Sequence, residues 1–407
     1  MSEVNVILGA GQAGAHAALA LRQAGFAGRI LLVGAEPHRP YDRPPLSKAM
    51  LGDVAEPAPA FYHAEAAYAE NGVELHLGAR AEAIDLAGQR LRMAAGGTLP
   101  FDRLLLATGG RARPLAVPGG AHAHGLRDLD DARRLRVALR AAKRVVCIGA
   151  GIIGLEVASS ARALGLGVTV IEAGAAPMAR CLPQAAIGIV EALHRAAGVD
   201  FHFGAAVEAI MPHGAGFRVL CRDGLELEAD CVVAAIGMER NTELAADAGL
   251  AIDGGIAVDA YGRASVPNVF AAGDVAAFWH PLFQRRLRLE AWRHAQDHAI
   301  ATARSMAGDA TPYAEIPWFW SDQHGASLQV TGLPGDGVAA VLRQGGGRAC
   351  AVFELAADGR VVSAFGLDMP REVRAAGALI RAGVPVPPEM LADPMVAPQR
   401  LAQLARR

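Results

Sequence analysis

The sequence predicts an α/β fold with two Rossmann-like, doubly wound dinucleotide-binding domains and a smaller α+β domain at the C-terminal end. The first observation is an apolar run near the N-terminus that is followed by three glycines spaced G-x-G-x-x-G. The second is a repeat of that combination beginning at residue 144, and the third is a change of composition from Pro312, where short strand-like runs follow one another. The tail that follows these runs, to Arg406-Arg407, is rich in proline, and we predict that it is poor in helix. A chain of 407 residues is long enough for two or three domains.

The first glycine motif follows the run Val4–Leu8, which is apolar enough for a strand that is buried on both faces. Gly9 permits a tight turn, Gly11 lets the backbone approach a pyrophosphate, and Gly14 lets the next helix pack close to the strand. The N–H groups that open this helix attract phosphate charge. The alternative is an ordinary glycine-rich turn between a strand and a helix.

The second glycine motif, Gly149, Gly151 and Gly154, follows the apolar strand Arg144–Ile148. The next strand ends in Glu172, about 20 residues on, where the dinucleotide-binding pattern has an acid for the ribose hydroxyls. A carboxylate there accepts from a ribose 2′-OH and repels a 2′-phosphate, and the turn that follows contains no arginine. We therefore predict a preference for NADH over NADPH.

Two such motifs in one chain most economically bind FAD and a nicotinamide nucleotide. In the first copy, the acid nearest the end of the second strand is Glu36, one or two positions later than the pattern expects. Ala35 stands between the end of the strand and this acid. We predict that Glu36, or backbone in its place, holds the ribose of the first nucleotide.

Charge and composition disfavour several classes of function. The formal net charge is −2, so nothing indicates nucleic acid as the main partner. The sequence shows no leader-like segment and no apolar run of about 20 residues, so we expect a cytoplasmic protein without a membrane partner. The five cysteines form no close pair, and residues 1–144 contain none. This disfavours disulfide reductases and thiol-dependent NADH oxidases, which need a reactive cysteine early in the chain.

Other segments place polar or small residues at turns suited to ligands. The proline-rich stretch 39–48 is rigid and ends in Lys48, and the strand 101–107 runs into a small-residue turn with Thr108 and Gly109. A later strand ends in Gly273-Asp274, and a helix-compatible segment follows. We expect Asp274 to accept hydrogen bonds from ribityl hydroxyls, to cap a helix, or to do both.

Two histidines, His294 and His298, are four residues apart in a predicted helix, a spacing that can bind metal. The flanking sequence is not His-Glu-x-x-His, and no third ligand accompanies the pair. We therefore predict surface or capping histidines and no metal site.

Both glycine motifs, the Pro-Pro-Leu-Ser-Lys segment, and the segment Trp-Phe-Trp-Ser-Asp-Gln at Trp318–Gln323 occur together in this chain. Nearly the whole sequence resembles the FAD-dependent ferredoxin reductases of oxygenase systems, and the last two segments are the most specific to that branch. The resemblance implies an FAD-binding domain in two segments (1–112 and 237–311), an NAD-binding domain (113–236) and a C-terminal interface domain (312–407).

The resemblance also implies cofactor contacts. The FAD contacts of the family fall on Ala13, Lys48, Ala81, Arg127, Asp274 and Trp292. The predicted cofactor-binding set further includes Arg43, Thr108, Gly109, Ile153, Gly237, Gly273 and Trp320.

Hydride transfer between nicotinamide and flavin needs ring alignment and exclusion of water rather than an acid–base triad. We predict that Lys48 stabilises negative charge on reduced flavin. Similarity to the family places Glu156 near the nicotinamide side. The alternatives are a surface lysine and an ordinary helix-face acid.

Without paired cysteines, we expect the electrons to leave to an external one-electron acceptor or to oxygen. The resemblance implies a small 2Fe–2S ferredoxin that feeds an oxygenase. An acidic ferredoxin would fit the basic cluster Arg285, Arg286, Arg288 and Arg293, although such a cluster is equally typical of a solvated face. Trp318 and Trp320 either face the flavin and the partner or belong to a core. We expect a monomer or weak homodimer, and a redox-responsive signalling flavoprotein is the remaining alternative.

Overall fold

The computed structural model describes residues 3–52, 55–309 and 311–405. The helices in these residues are α1 (Gln12–Gln23), α2 (Ala49–Gly52), α3 (Glu65–Glu70), α4 (Leu129–Ala141), α5 (Ile152–Ala163), α6 (Gln184–Ala196), α7 (Glu243–Asp247), α8 (Trp292–Met306), α9 (Pro370–Ala382), α10 (Pro388–Ala392) and α11 (Pro398–Leu404). Short 3₁₀ turns occur at Pro44–Ser47, Gly120–His122 and Gly273–Val275.

The strands are β1 (Val4–Leu8), β2 (Arg29–Val33), β3 (Val73–His76), β4 (Ala81–Asp85), β5 (Arg90–Met93), β6 (Thr98–Pro100), β7 (Arg103–Leu106), β8 (Gly110–Ala112), β9 (Arg144–Ile148), β10 (Gly167–Glu172), β11 (Val199–Phe203), β12 (Val207–His213), β13 (Gly216–Cys221), β14 (Glu226–Ala229), β15 (Cys231–Ala234), β16 (Met238–Arg240), β17 (Ile256–Val258), β18 (Val269–Ala271), β19 (Ala276–His280), β20 (Arg285–Leu287), β21 (Trp318–Gln323), β22 (Ala326–Gly332), β23 (Ala339–Gln344), β24 (Cys350–Leu355) and β25 (Val361–Leu367).

The chain divides into two compact units. The first comprises Met1–Asp42, Pro59–Arg111 and Glu239–Glu315, and the second comprises Arg43–Ala58, Ala112–Met238 and Ile316–Arg407.

The first unit is built on a parallel sheet with the strand order β18-β7-β1-β2-β3. Val6 and Ile7 of the central strand are fully buried, as the apolar run predicted. Helices α1 and α8 pack side by side, and Leu21 and Met306 from these helices share one apolar core with Ile7. Two antiparallel sheets, β4-β5-β6 and β17-β19-β20, belong to the same unit.

The second unit is built on a parallel sheet with the order β11-β10-β9-β15, and an antiparallel sheet β12-β13-β14 accompanies it. An antiparallel C-terminal sheet has the order β21-β22-β25-β24-β23, and helix α9 packs on β22 and β25. Val157 of α5 shares one apolar core with Leu328 and Phe365 of the C-terminal sheet. Strand β21 also contacts α5 directly. The glycine loop before α5 and the C-terminal sheet are therefore held together by one core.

Two expectations about secondary structure are wrong. The segment after Gly273-Asp274 is not a helix, because a single 3₁₀ turn leads into strand β19. The C-terminal region after residue 367 is not poor in helix, because α9, α10 and α11 all lie there. No helix in the described part of the chain is long and apolar enough to cross a membrane.

Candidate functional site

The first glycine loop joins β1 to α1 in the first unit. Gly9 has φ +118°, which favours glycine, and a Cβ on it would lie 2.1 Å from the carbonyl oxygen of Ala107. A Cβ on Gly14 would lie 1.8 Å from the carbonyl oxygen of Gly9. The loop is therefore pressed against the end of the neighbouring strand, and the helix is pressed against the loop. No side chain larger than hydrogen fits at either position.

The second glycine loop, between β9 and α5, repeats this geometry in the second unit. Gly149 has φ +100°, and a Cβ on Gly154 would lie 2.0 Å from the carbonyl oxygen of Gly149. A Cβ on Gly151 would meet no atom within 4 Å. Gly151 is therefore open toward the space where a ligand would lie, rather than packed against protein. Ile153, in the first turn of α5, is partly exposed beside it.

Both helices that follow these loops begin in a way that suits an anion. Gly11 and Gly151 are the N-cap residues, neither helix has a side-chain cap, and neither has an acid in its first turn. The first-turn N–H groups are thus left for an external acceptor, and the helix dipole favours negative charge there. These two loops fit the pyrophosphates of two dinucleotides.

Glu172, at the end of β10, is tied to the second loop. Its Oε2 accepts from the backbone N–H of Ala150 at 2.8 Å, and its Oε1 accepts from that of Gly174 at 2.7 Å. The carboxylate is thereby fixed beside the glycine loop, with further lone pairs left on both oxygens. This is the position that the ribose-binding role requires, and that role and the preference for NADH stay predictions.

The corresponding acid of the first unit lies in a different arrangement. Glu36 accepts a hydrogen bond from the Tyr41 hydroxyl at 2.5 Å, while Ala35 is exposed. Asp42, which sequence reasoning missed, accepts from the indole N–H of Trp292 at 2.5 Å and from the Tyr62 hydroxyl at 3.1 Å. The proline-rich stretch is thus tethered to Trp292 at the start of α8.

Several predicted FAD-binding residues are brought together around the first loop. A Cβ on Gly273 would lie 2.9 Å from the Cβ of Ala13, so the Gly273-Asp274 turn lies beside α1. The carbonyl of Asp274 accepts from Arg240 Nε at 2.8 Å. Ala81 is buried at the start of β4.

The small-residue turn after β7 is held by Asn241, a residue without a sequence signal. The Thr108 hydroxyl donates to the Asn241 carbonyl at 2.8 Å, and the Asn241 amide donates to the Thr108 carbonyl at 2.9 Å. The backbone N–H of Asn241 donates to Gly109 at 3.0 Å. Gly237, in the second unit, has φ +106° and open space around it.

The two charged residues predicted to act near the flavin form a buried ion pair in the second unit. Lys48 Nζ lies 2.7 Å from Glu156 Oε1, and the Glu156 side chain is 3% exposed. Ser47 donates to Glu156 Oε2, and Ser321 of β21 donates to Glu156 Oε1 at 2.6 Å. Lys48 is therefore not a free surface lysine, and Glu156 is not an ordinary exposed acid. Sequence reasoning singled out both residues but predicted neither their pairing nor the two serine donors.

Other predicted residues of the second unit form two separate contacts, one between two arginines and one between two tryptophans. Arg43 donates to the carbonyl of Arg127, which tethers the Pro-Pro-Leu-Ser-Lys turn to the residue before the N-cap of α4. Trp318 and Trp320 stack at 5.4 Å between ring centroids, and the Trp320 indole N–H donates to Asp322 at 3.2 Å. Both tryptophans are partly exposed, so they are not plain core residues.

The prediction of surface or capping histidines on α8 is wrong. His294 and His298 are 3% and 0% exposed; His294 stacks on Phe278, and the His298 ring packs against Phe278 at a tilt of 39°. Their 3.6-residue periodicity places them on the inner face of α8, where burial lowers the pKa of His294 to about 3 and lowers that of His298 well below its usual value. Among the described residues, no group of three or more potential metal ligands is present.

Two arginines of the predicted basic cluster make contacts within the first unit. Arg286 donates to the carbonyls of Val258 and Ala277, and Arg293 pairs with Asp297 at 2.5 Å. Arg285 and Arg288 are exposed.

The cysteines are unsuited to redox chemistry. All five are free, and four are buried. Burial raises the pKa of Cys181 and Cys221 to about 11 and that of Cys231 to about 12, so the reactive thiolate is disfavoured at neutral pH. This supports the expectation that no thiol relay operates.

Two known protein families match this chain. The family described as pyridine nucleotide-disulphide oxidoreductase matches residues 4–299. The chain belongs to that family. A second family, described as reductase C-terminal, matches residues 318–402 and so covers the antiparallel sheet that carries Ser321. The predicted fold class is confirmed, and this family member is an oxidoreductase that uses FAD and NAD(H).

Individual relatives extend the match to nearly the full length. The ferredoxin–NAD(+) reductase component of the anthranilate 1,2-dioxygenase system of Burkholderia cepacia is 42% identical over 395 residues, which is 96% of this chain and 97% of that protein. The crystal structure of the ferredoxin reductase for the CYP199A2 system from Rhodopseudomonas palustris superposes with a TM-score of 0.94 at 36% identity, covering 98% of this chain and all of that one. The reductase in a covalent putidaredoxin reductase–putidaredoxin complex superposes with a TM-score of 0.93 at 36% identity, covering 99% of each chain. The predicted resemblance is confirmed.

Proposed function

We propose that this chain is the reductase of an oxygenase system and passes electrons from NADH through FAD to a 2Fe–2S ferredoxin. The observation that carries the proposal is the buried Lys48–Glu156 pair, which the Pro-Pro-Leu-Ser-Lys turn, helix α5 and strand β21 build together. The turn and strand β21 carry the two segments that are most specific to the ferredoxin reductase branch. The relatives named for dioxygenase systems and for putidaredoxin support the same acceptor.

The protein contributes binding and electrostatics to this reaction, because the redox chemistry belongs to the cofactor. Bound FAD would supply the chemistry of hydride uptake from NADH and release of single electrons. The open N-termini of α1 and α5 bind the two pyrophosphates, and Glu172 holds a ribose 2′-OH of the nicotinamide nucleotide.

Lys48 supplies a fixed positive charge in this scheme. Its ammonium is held by the Glu156 carboxylate, which the hydroxyls of Ser47 and Ser321 also hold. A cation fixed in a largely buried place stabilises nearby negative charge without reorganising when that charge develops. The Lys48 side chain is 22% exposed, so it is not sealed inside the protein.

The acceptor is external in this proposal. The thiols are buried or partly buried with raised pKa values, so they offer no internal outlet for electrons. An acidic ferredoxin is the partner that exposed arginines such as Arg285 and Arg288 favour.

The test is NADH-driven reduction of cytochrome c with and without an added 2Fe–2S ferredoxin. We expect reduction to require the ferredoxin, and the double reversal Arg285→Glu/Arg288→Glu to lower it about tenfold at low salt while leaving ferricyanide reduction unchanged. The matched control is Arg218→Glu, an arginine of the second unit that is paired with Glu226. Equal reduction of cytochrome c without ferredoxin would contradict the proposal.

A further inference from the structure

A line of polar side chains leads away from Glu156 inside the second unit. Ser321 Oγ lies 2.6 Å from Glu156 Oε1 and 2.8 Å from Gln323 Nε2. Gln323 Oε1 lies 2.7 Å from His194 Nε2, and His194 Nδ1 lies 3.0 Å from His324 Nε2. Glu156, His194, Ser321 and Gln323 are all buried, so these contacts are shielded from water.

Each hydrogen bond in this line has only one possible direction. Glu156, paired with Lys48, is a carboxylate and only accepts hydrogen bonds. The Ser321 hydroxyl must therefore donate its hydrogen to Glu156. The Ser321 oxygen must then accept from Gln323, which turns the amide NH₂ toward Ser321. Reversing the amide would place two acceptors 2.8 Å apart.

The same reasoning fixes the donor and the acceptor in the hydrogen bonds of the His194 and His324 imidazoles. With its NH₂ turned to Ser321, Gln323 offers its carbonyl oxygen to His194, so His194 Nε2 carries the proton. His194 Nδ1 is then an acceptor, and His324 Nε2–H donates to it. Burial lowers the pKa of His194 to about 4, which agrees with a neutral ring at pH 7.

We infer that Gln323 and His194 are positioning residues, which fix the Glu156 carboxylate and through it the Lys48 ammonium for hydride transfer to the flavin. The inference rests on the proposed function for the place of Lys48 beside the flavin. Neither residue touches the pair directly; they act through Ser321, whose hydroxyl has no other way to turn while Gln323 donates to it. Charge-assisted hydrogen bonds in a buried site are strong enough to hold such an orientation.

The first measurement is the tautomer of His194, read from two-bond ¹H–¹⁵N correlations of ¹⁵N-histidine-labelled holoprotein at pH 7. We expect a neutral ring protonated on Nε2, assigned by its loss in His194→Gln. In Gln323→Leu the Nε2–H has lost its acceptor and this signature should disappear. The control Gln344→Leu, on the exposed side of β23 in the same sheet, should keep it. A ring protonated on Nδ1 in the wild type would overturn the inference.

The second measurement is the stopped-flow rate of flavin bleaching by NADH. Removing a buried hydrogen bond to a charged network should slow bleaching about tenfold in Gln323→Leu, with FAD content and the binding of NADH unchanged. Gln323→Glu keeps the shape and still accepts from His194, but it cannot donate to Ser321. It should therefore retain the His194 tautomer and still slow the reaction, which separates positioning from a defect in folding.

The two failures are distinguishable. If Gln323→Leu and Gln323→Glu bleach at the wild-type rate, the inference is overturned while the proposed function stands. If the wild type binds FAD but is not bleached by NADH, the proposed function fails, and the positioning role fails with it whatever the tautomer.

Discussion

Glu172 is bound to the backbone at both of its carboxylate oxygens. Each oxygen already accepts one N–H, from Ala150 or from Gly174, so the side chain shapes the loop in addition to the ribose-binding role that we propose for it. A substitution at this position therefore changes both charge and loop geometry, and the two effects need separate variants.

We predict that Glu172→Ala and Glu172→Gln both lower the ratio of kcat/KM for NADH to that for NADPH, by about tenfold, because both remove the charge that repels a 2′-phosphate. Glu172→Gln keeps a side-chain acceptor for the loop, so it should retain more of the NADH activity than Glu172→Ala. Steady-state kinetics with both nucleotides measures this. A wild-type preference for NADPH would contradict the role of Glu172.

Lys48 offers the second test at the scale of a residue. We predict that Lys48→Met slows flavin bleaching by NADH about 10- to 100-fold, because it removes a preorganised charge. The cost in stability should be below the roughly 3–5 kcal/mol typical of a fully buried broken pair, since Lys48 is 22% exposed and screened in part. The control is Lys143→Met, an exposed lysine of the same unit. Equal bleaching rates in the two variants would contradict the assignment.

The parts of the site that could be predicted are those with a local signal. Both glycine loops and Glu172 can be recognised from a stretch of about 25 residues, because the turn, the helix and the acid are close together in sequence. The partners of Glu156 carry no such signal: Ser321 is 165 residues away, and His194 meets Gln323 across 129 residues. Asn241 is likewise 133 residues from Thr108, which it holds. Contacts of this kind arise only when the core has formed.

At the scale of elements, the errors have specific physical causes. Helices α9, α10 and α11 each begin with a proline at the first helical position, where the missing N–H costs nothing. These prolines therefore open helices rather than preventing them. The run before His280 is a short apolar segment, for which periodicity does not separate strand from helix, and pairing with β17 and β20 decides for the strand.

The buried face of α8 makes stability depend on pH. The pKa of His294 is about 3 in the folded protein because of burial, against about 6.5 when unfolded, so the unfolded state binds more protons between these values. The contribution is complete above pH 6.5 and is lost as pH falls toward 3. We predict that His294→Phe, which keeps the stack on Phe278, lessens the acid loss of unfolding free energy by about 1.4 kcal/mol per pH unit below pH 6.

Urea unfolding at pH 7.5 and pH 5.5 measures this effect. The exposed Gln344 supplies the control, because Gln344→Leu removes no titratable group and should leave the pH dependence as it is in the wild type. The same steep acid loss in His294→Phe would contradict the account.

For the whole molecule, the state of the cysteines separates this chain from thiol-dependent relatives of similar fold. We predict that treatment of the native protein with N-ethylmaleimide leaves NADH-dependent ferricyanide reduction within about twofold of the untreated rate, because the thiols are shielded and their pKa values are raised. A cysteine-dependent NADH oxidase treated in parallel is the control. Complete inactivation would indicate a thiol in the reaction.

The strand order of the first unit has a consequence for synthesis on the ribosome. Strand β18 pairs with β7, and α8 covers α1, yet both come after the whole of residues 112–238 in the chain. A nascent polypeptide that has emerged only to residue 240 therefore exposes an unpaired strand edge at Leu104–Leu106, where β18 will later pair. It also exposes the apolar face of α1 that α8 will later cover. Ribosome-bound fragments stopped there should recruit chaperones and be cut readily within the opening hundred residues. Fragments extended past Met306 should resist proteolysis, because α8, which is synthesised late, then covers α1, which is synthesised first.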